Sequence, residues 1–328
     1  MGALDFVSLA EAREQAAVLL KQVKSGLDPL AERKRKESVP TFEEACTIVW
    51  QQNRPTWKSE KHALQWLKAL EDHAYPVLKT KRISEISSAN ILDVLSPIWT
   101  NKTATAKRVR QRMRAVFDWA KASGYYSGDN PVDGVKMALP KQSNTRKHHN
   151  ALPWQQLPEF MCELNGRSGL SAKALAFLIL TAGRSGEIRG AVWSEMKGDR
   201  WVIPAARMKM TRDHRVPLSS PALEIVRSMR GLSETLVFPS SQNSSKQMSN
   251  MVFKALFVRM GHDQITAHGF RSTFRDWVAD NDIAAREVAE ASLAHLVGGE
   301  TERAYARSDM FERRRALMEK WATFALSG

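Results

Sequence analysis

The chain reads A-H-G-F-R from Ala267 to Arg271, L-A-H from Leu293 to His295, and E-R-A-Y-A-R from Glu302 to Arg307. Two histidines, an arginine and a late tyrosine in that order suggest phosphoryl transfer through a tyrosine. His268 stands three residues before Arg271, so on one helical face both side chains can reach the same phosphate. A phosphodiester in transit carries extra negative charge on its nonbridging oxygens, and a catalyst without a metal must supply fixed cations there. Arg271 and, upstream, Arg184 of T-A-G-R-S-G-E-I are the candidates, because a planar guanidinium holds two oxygens at once. Tyr305 is one of four tyrosines, with Tyr75, Tyr125 and Tyr126. A phenol with a pKa of about 10 is a poor nucleophile, so Tyr305 needs a base or a strongly cationic site.

Outward from that stretch, 328 residues are too many for one ordinary core and suggest two or three domains. With 43% hydrophobic and 26% charged residues the composition is that of a soluble globular protein. An excess of 49 Lys and Arg over 35 Asp and Glu leaves +14 formal charges, which suits a polyanion: nucleic acid first, an anionic membrane surface second. The longest apolar run, Ala174 to Leu180, is far short of the roughly 20 residues that span a bilayer. The first residues carry Asp5, Glu11 and Glu14 and no signal-peptide pattern, which points to a cytoplasmic protein. Cys46 and Cys162 lack metal-ligand spacing and read as packing residues in a reducing compartment, so neither a zinc site nor a disulfide is expected.

Capping boxes mark two helix starts, S-L-A-E at Ser8 and T-F-E-E at Thr41. The first helix runs to about Lys24, with Leu9, Ala12, Ala16, Leu19, Leu20 and Val23 at helical spacing; a charged strap, Asp28 to Lys36, follows. Trp50, Trp57, Trp66 and Trp99 fall among Leu and Ile and read as core residues rather than base-stacking platforms. From Thr103 to Ser123, Val109, Met113, Val116, Phe117 and Ala120 form an apolar stripe. Lys107, Arg110, Arg114 and Lys121 align on another face and can grip phosphates. Gly124 to Asn150 holds Gly128, Pro131, Gly134, Pro140 and a basic tract, the pattern of an interdomain linker that would let two DNA-gripping domains close on a duplex. Beyond Ala151 the pattern predicts a helix over 171–180, a strand over 201–203, a turn over 204–207 and a hairpin from Lys209 to Leu218. Helices follow over 221–229, 248–260, 268–280, 284–292 and 301–305.

Together these residues resemble the active site of the tyrosine recombinases, the phage integrase family. The resemblance continues through H-G-F-R-S-T-F-R-D-W, L-A-H-L-V-G-G-E-T-E-R-A-Y-A-R-S-D and R-R-A-L-M-E-K-W-A, which look like the prophage and genomic-island integrases that insert into tRNA genes. It implies a mainly α fold with a small antiparallel sheet. Residues 38–140 would form a helical, SAM-like core-binding domain and residues 150–328 a mixed α+β catalytic domain. Residues 1–37 would be the last helix and linker of an arm-binding domain whose sheet is missing, so that binding would be confined to core sites.

The resemblance makes Tyr305 the nucleophile of a 3′-phosphotyrosyl link and Arg184 and Arg271 the phosphate clamp. It assigns His268 to proton transfer at the nucleophile and His295 to a hydrogen bond with the scissile phosphate. Lys209, on the hairpin, would protonate the leaving 5′ oxygen; Arg207 and Arg212 are close rivals, but arginine is a poor proton donor. Glu187 matches the family's acidic position and would orient a cation. Thr181-Ala182-Gly183-Arg184 departs from the commoner T-G-x-R, a shifted glycine expected to be tolerated. His214 and His262 stay open as structural histidines. The function implied is site-specific integration or excision of a mobile element. No cofactor or metal is required, because the phosphotyrosine conserves bond energy. The partners implied are double-stranded attachment sites, a homotetramer on DNA, a DNA-bending accessory protein and an excisionase, in the bacterial nucleoid and away from any membrane. A type IB topoisomerase and a non-catalytic prophage remnant are the rival readings.

Overall fold

The computed structural model describes residues 8–26, 28, 38–57, 59–142, 150–208, 212–295 and 308–328. The chain divides into two compact units, Met1–Thr145 and Arg146–Gly328. Helices dominate both, and the second carries a small antiparallel sheet. Among the described residues no helix is long and apolar enough to cross a membrane.

In the first unit, α1 (Leu9–Lys24) begins at the expected capping box. The Ser8 N–H donates to Glu11 Oε2 at 2.8 Å and the Glu11 N–H donates back to Ser8 Oγ at 3.3 Å. Its apolar residues Leu9, Val18, Leu19, Leu20 and Val23 are nonetheless exposed. The second box caps α2 (Phe42–Asn53), through Thr41 and Glu44. Then follow α3 (Glu60–His73), α4 (Tyr75–Leu78), α5 (Ser88–Trp99) and α6 (Thr103–Ala122). The whole apolar stripe of α6, from Val109 to Ala120, is buried against Phe42, Leu70 and Leu95. Trp66 and Trp99 are buried in this core and Trp50 and Trp57 pack against it. Indole N–H groups of Trp50 and Trp99 donate to the Ala63 and Pro140 carbonyls, each at 2.8 Å, which satisfies their polar ends.

One expectation fails here. Part of the stretch with a linker's composition is a helix, α7 (Pro131–Ala138), and it packs on α5 and α6. Pro131 occupies the first helical position, where its missing N–H costs nothing, and Asn130 Oδ1 caps by accepting from the Val132 N–H at 3.0 Å. Residues that form turns thus serve here to start a helix. The basic tract at residues 143–149 lies outside the described residues.

The second unit is built around α9 (Leu170–Thr181), preceded by α8 (Leu157–Asn165) and followed by α10 (Ser185–Arg189). Residues 174–181 of α9 are buried without interruption, as a helix apolar on every side must be. Strands β1 (Met196–Lys197), β2 (Arg200–Ile203) and β3 (His214–Pro217) form an antiparallel sheet in that order, with Trp201 opposite Val216 and Ile203 opposite His214. Nothing in the sequence pattern announces the two-residue β1. Helices α11 (Ser220–Ser228), α12 (Val252–Arg259), α13 (Gly269–Asp280), α14 (Arg286–Ser292) and α15 (Phe311–Ala325) follow among the described residues. From α15, the Trp321 indole N–H donates to the Ile179 carbonyl of α9 at 2.8 Å. Cys46 is buried as expected, but Cys162 is exposed on α8, whose buried face is formed by Leu157, Phe160, Met161 and Leu164. The helix expected over 301–305 lies outside the described residues.

Candidate active site

Two helix C-termini meet at the site. Helix α9 ends on Ala182 in the left-handed conformation, φ 48° and ψ 30°. Beyond α14 the chain turns the same way at Ala294, φ 49°. Carbonyls at helix ends lack helical partners and carry the negative pole of the helix dipole. Arg271, on α13, meets both ends: Nη1 donates to the Ala182 carbonyl at 2.6 Å and Nη2 to the Leu293 carbonyl at 2.5 Å. Arg184 donates from Nη2 to the same Leu293 carbonyl at 3.3 Å. The two guanidiniums expected to act together are therefore held on one oxygen. Glu187 fixes Arg184 twice, accepting from its Nη1 at 2.8 Å and from its backbone N–H at 2.9 Å.

Arg271 is 4% exposed and its Nε has no partner among the described residues, whereas the Arg184 side chain is 26% exposed. Burial first, and then the Arg184 charge, lowers the Arg271 pKa to about 10, so it remains a cation at neutral pH. His295 lies beside it, with Nε2 3.0 Å from Arg271 Nη2. On its other side His295 Nδ1 is 2.6 Å from Oε2 of Glu290, a buried residue that sequence reasoning does not single out. Glu290 Oε1 in turn forms an ion pair with Arg275 Nε at 2.9 Å. In sequence, Glu290 looks like any acid of an exposed helix, and no local signal sets it apart.

His268 is exposed at the residue before α13, and its carbonyl accepts from the Arg271 N–H at 3.2 Å. His214 opens β3 in the field of the same arginines. Burial, followed by the Arg314, Arg184 and Arg271 charges, pushes its pKa down to about 3, so it is a neutral ring. His262 is structural: its Nε2 lies 2.9 Å from Glu163 Oε2 and its ring packs edge-on against Phe160. Lys209 and Tyr305 lie outside the described residues. The rival Arg207 is locked by Glu195 Oε2 at 2.5 Å and by the Glu187 carbonyl at 2.7 Å; Arg212 is exposed. Four residues past Tyr305, Asp309 is gripped by Arg215 Nε at 2.9 Å and by Arg314 Nη2 at 2.7 Å.

In the first unit, Lys107, Arg114 and Lys121 are exposed on α6 and Arg110 is half-buried. Arg114 is already engaged by Asp133 at 3.3 Å and Asp118 at 3.7 Å, which offsets part of its charge. Arg112 turns inward and donates to the Gln65 carbonyl at 2.7 Å, so not every arginine of this helix belongs to the basic face.

The profile of the phage integrase central domain matches residues 42–136, and that of the phage integrase family matches residues 151–312. The prophage integrase IntA of Escherichia coli K12 is 31% identical, over 98% of this chain and 80% of its own length. The integrase of Enterobacteria phage P4 is 28% identical, over 97% of this chain and 77% of its own. Among solved structures, a lambda integrase tetramer bound to a Holliday junction matches in fold, with a TM-score of 0.65 at 15% identity, over 92% of this chain and 88% of that one.

Proposed function

This chain belongs to the phage integrase family of tyrosine recombinases, and from that membership we propose a site-specific DNA recombinase that integrates or excises a mobile element. The observation that carries this reading is the pair Arg184 and Arg271 on the Leu293 carbonyl, with His295 in hydrogen-bond reach of Arg271. Two fixed cations and an imidazole on one spot suit a phosphodiester whose nonbridging oxygens gain charge as it reacts.

The Tyr305 hydroxyl attacks the scissile phosphorus, passing its proton towards His268. An O–P bond to tyrosine forms as the bond to the 5′ oxygen breaks, and Lys209 protonates that oxygen to release a 5′-hydroxyl. Attack by a 5′-hydroxyl of the other duplex reverses these steps and rejoins the strands, so the number of phosphodiester bonds is conserved. Arg184 and Arg271 hold the phosphate, His295, with a proton on both ring nitrogens, donates to it from Nε2, and Glu187 keeps Arg184 in place. The basic face of α6, through Lys107, Arg110, Arg114 and Lys121, grips DNA phosphates. Four protomers act on two attachment sites, with accessory DNA-bending and excision proteins as further partners, and a tRNA gene is the target class that the motif resemblance favours.

A nicked suicide substrate tests the assignment. Tyr305→Phe should bind DNA as the unaltered chain does and form no covalent complex; an adduct mapped to Tyr75, Tyr125 or Tyr126 would sink it. The same gel separates an active recombinase from a DNA-binding remnant. Relaxation of a plasmid lacking any attachment site would instead favour a type IB topoisomerase.

A further inference from the structure

Arg271, His295, Glu290 and Arg275 form a closed circuit whose two ends stand one turn apart on α13. Guanidinium nitrogens only donate, so the contact between Arg271 Nη2 and His295 Nε2 requires that Nε2 accept. The ring proton must then sit on Nδ1, where it is donated to Glu290 Oε2 at 2.6 Å. The other Glu290 oxygen forms an ion pair with Arg275 Nε at 2.9 Å, as suits a carboxylate. Glu290 is 8% exposed, and a buried carboxylate held by the His295 ring on one oxygen and by the Arg275 cation on the other is a fixed acceptor. The backbone adds a second tie, since the His295 N–H donates to the Glu290 carbonyl at 2.9 Å.

We propose that Glu290 is a positioning residue for DNA cleavage: it holds the His295 ring by Nδ1, so that Nε2 faces Arg271 in the free chain and, once it has taken a proton, donates to the phosphate that Arg271 binds. A carboxylate on one imidazole nitrogen selects the tautomer and fixes the ring plane. Without it the ring can turn or place its proton on Nε2. In that tautomer two donors, Nε2–H and Arg271 Nη2–H, face each other and the contact is lost. Arg275 keeps Glu290 aimed, and acts on the phosphate only through it. The role in cleavage rests on the recombinase reading above; the tautomer does not.

Nitrogen-15 imidazole spectra of the full chain, with the His295 signals identified by their loss in His295→Gln, read the tautomer without any activity. The Nδ1–H form is expected in the unaltered chain, and Glu290→Gln should populate the Nε2–H form. On a nicked suicide substrate, Glu290→Gln should slow single-turnover cleavage on the order of 10- to 100-fold, with core-site affinity within about two-fold, and Glu290→Asp should recover much of the rate. An Nε2–H ring in the unaltered chain overturns the proposal, as does a Glu290→Gln chain that cleaves at the full rate. If Glu290→Gln does not fold, the tautomer of the unaltered chain and the rate of Glu290→Asp still decide. A chain with the expected tautomer that traps no DNA would instead overturn the recombinase reading.

Discussion

Gly186 and Gly269 lie close in sequence to the two site arginines and have opposite requirements. A Cβ on Gly269 would lie 2.4 Å from the Asn150 carbonyl oxygen and 2.8 Å from Ala151 Cα, both backbone atoms that cannot step aside cheaply. That close approach, and no need for an unusual φ, explains the glycine of H-G-F-R. Gly186 has nothing within 4 Å of such a Cβ and sits in α10. Gly269→Ala should therefore destabilise the fold by about 1–3 kcal/mol, while Gly186→Ala should stabilise it by about 0.5–1 kcal/mol. Urea unfolding of both variants checks this, and a shift in the same direction for both would refute it. Ala182 presents a balance between two effects of similar size. A left-handed alanine costs about 1–2 kcal/mol, but removing its buried methyl would forfeit about 0.8 kcal/mol and add the extra chain entropy of glycine. The near cancellation accounts for alanine at the position where the family's commoner motif has glycine.

At the scale of elements, the start of α15 is tied to β3 by a compact charge cluster. Arg314 is 1% exposed; it donates to the Arg215 carbonyl at 2.6 Å, to the Asp309 carbonyl at 2.7 Å and to the Asp309 carboxylate. Asp309→Ala leaves this buried cation short of its counter-charge and should cost about 1–3 kcal/mol, since its two carbonyl bonds remain. The proposed nucleophile, Tyr305, stands four residues before this anchor in the chain. Single-turnover cleavage by Asp309→Ala should accordingly fall with DNA affinity unchanged. An unaltered unfolding midpoint would show that the cluster contributes no stability.

Across the whole molecule, +14 formal charges favour electrostatic attraction to DNA phosphates. Each phosphate neutralised by a Lys or Arg releases counterions, so a protein making six to ten such contacts loses roughly 10³- to 10⁵-fold in affinity between 50 and 200 mM salt. Titration of a core-site duplex over that range should give this slope, and it should shrink by about one per contact when Lys107 or Lys121 is changed to Ala. A flat salt dependence would exclude the basic face of α6 as a phosphate grip.

Much of this protein is legible from local order. The capping boxes at Ser8 and Thr41, the stripe on α6 and the uninterrupted apolar run of α9 each act over a few residues, and each is present in the structure as read. The ordered set of arginines, histidines and tyrosine also suffices to recognise the family. Helix α7 escapes a local reading because proline and glycine serve both turns and helix starts, and only packing on α5 and α6 selects between the two. The site's supporting contacts are not legible at all. Arg271 finds the Ala182 carbonyl across 89 positions and Arg184 finds that of Leu293 across 109. Sequence determined which side chains could bear the charge, whereas tertiary structure decided which carbonyls and which carboxylate hold them, because those partners become neighbours only when α9, α13 and α14 pack together.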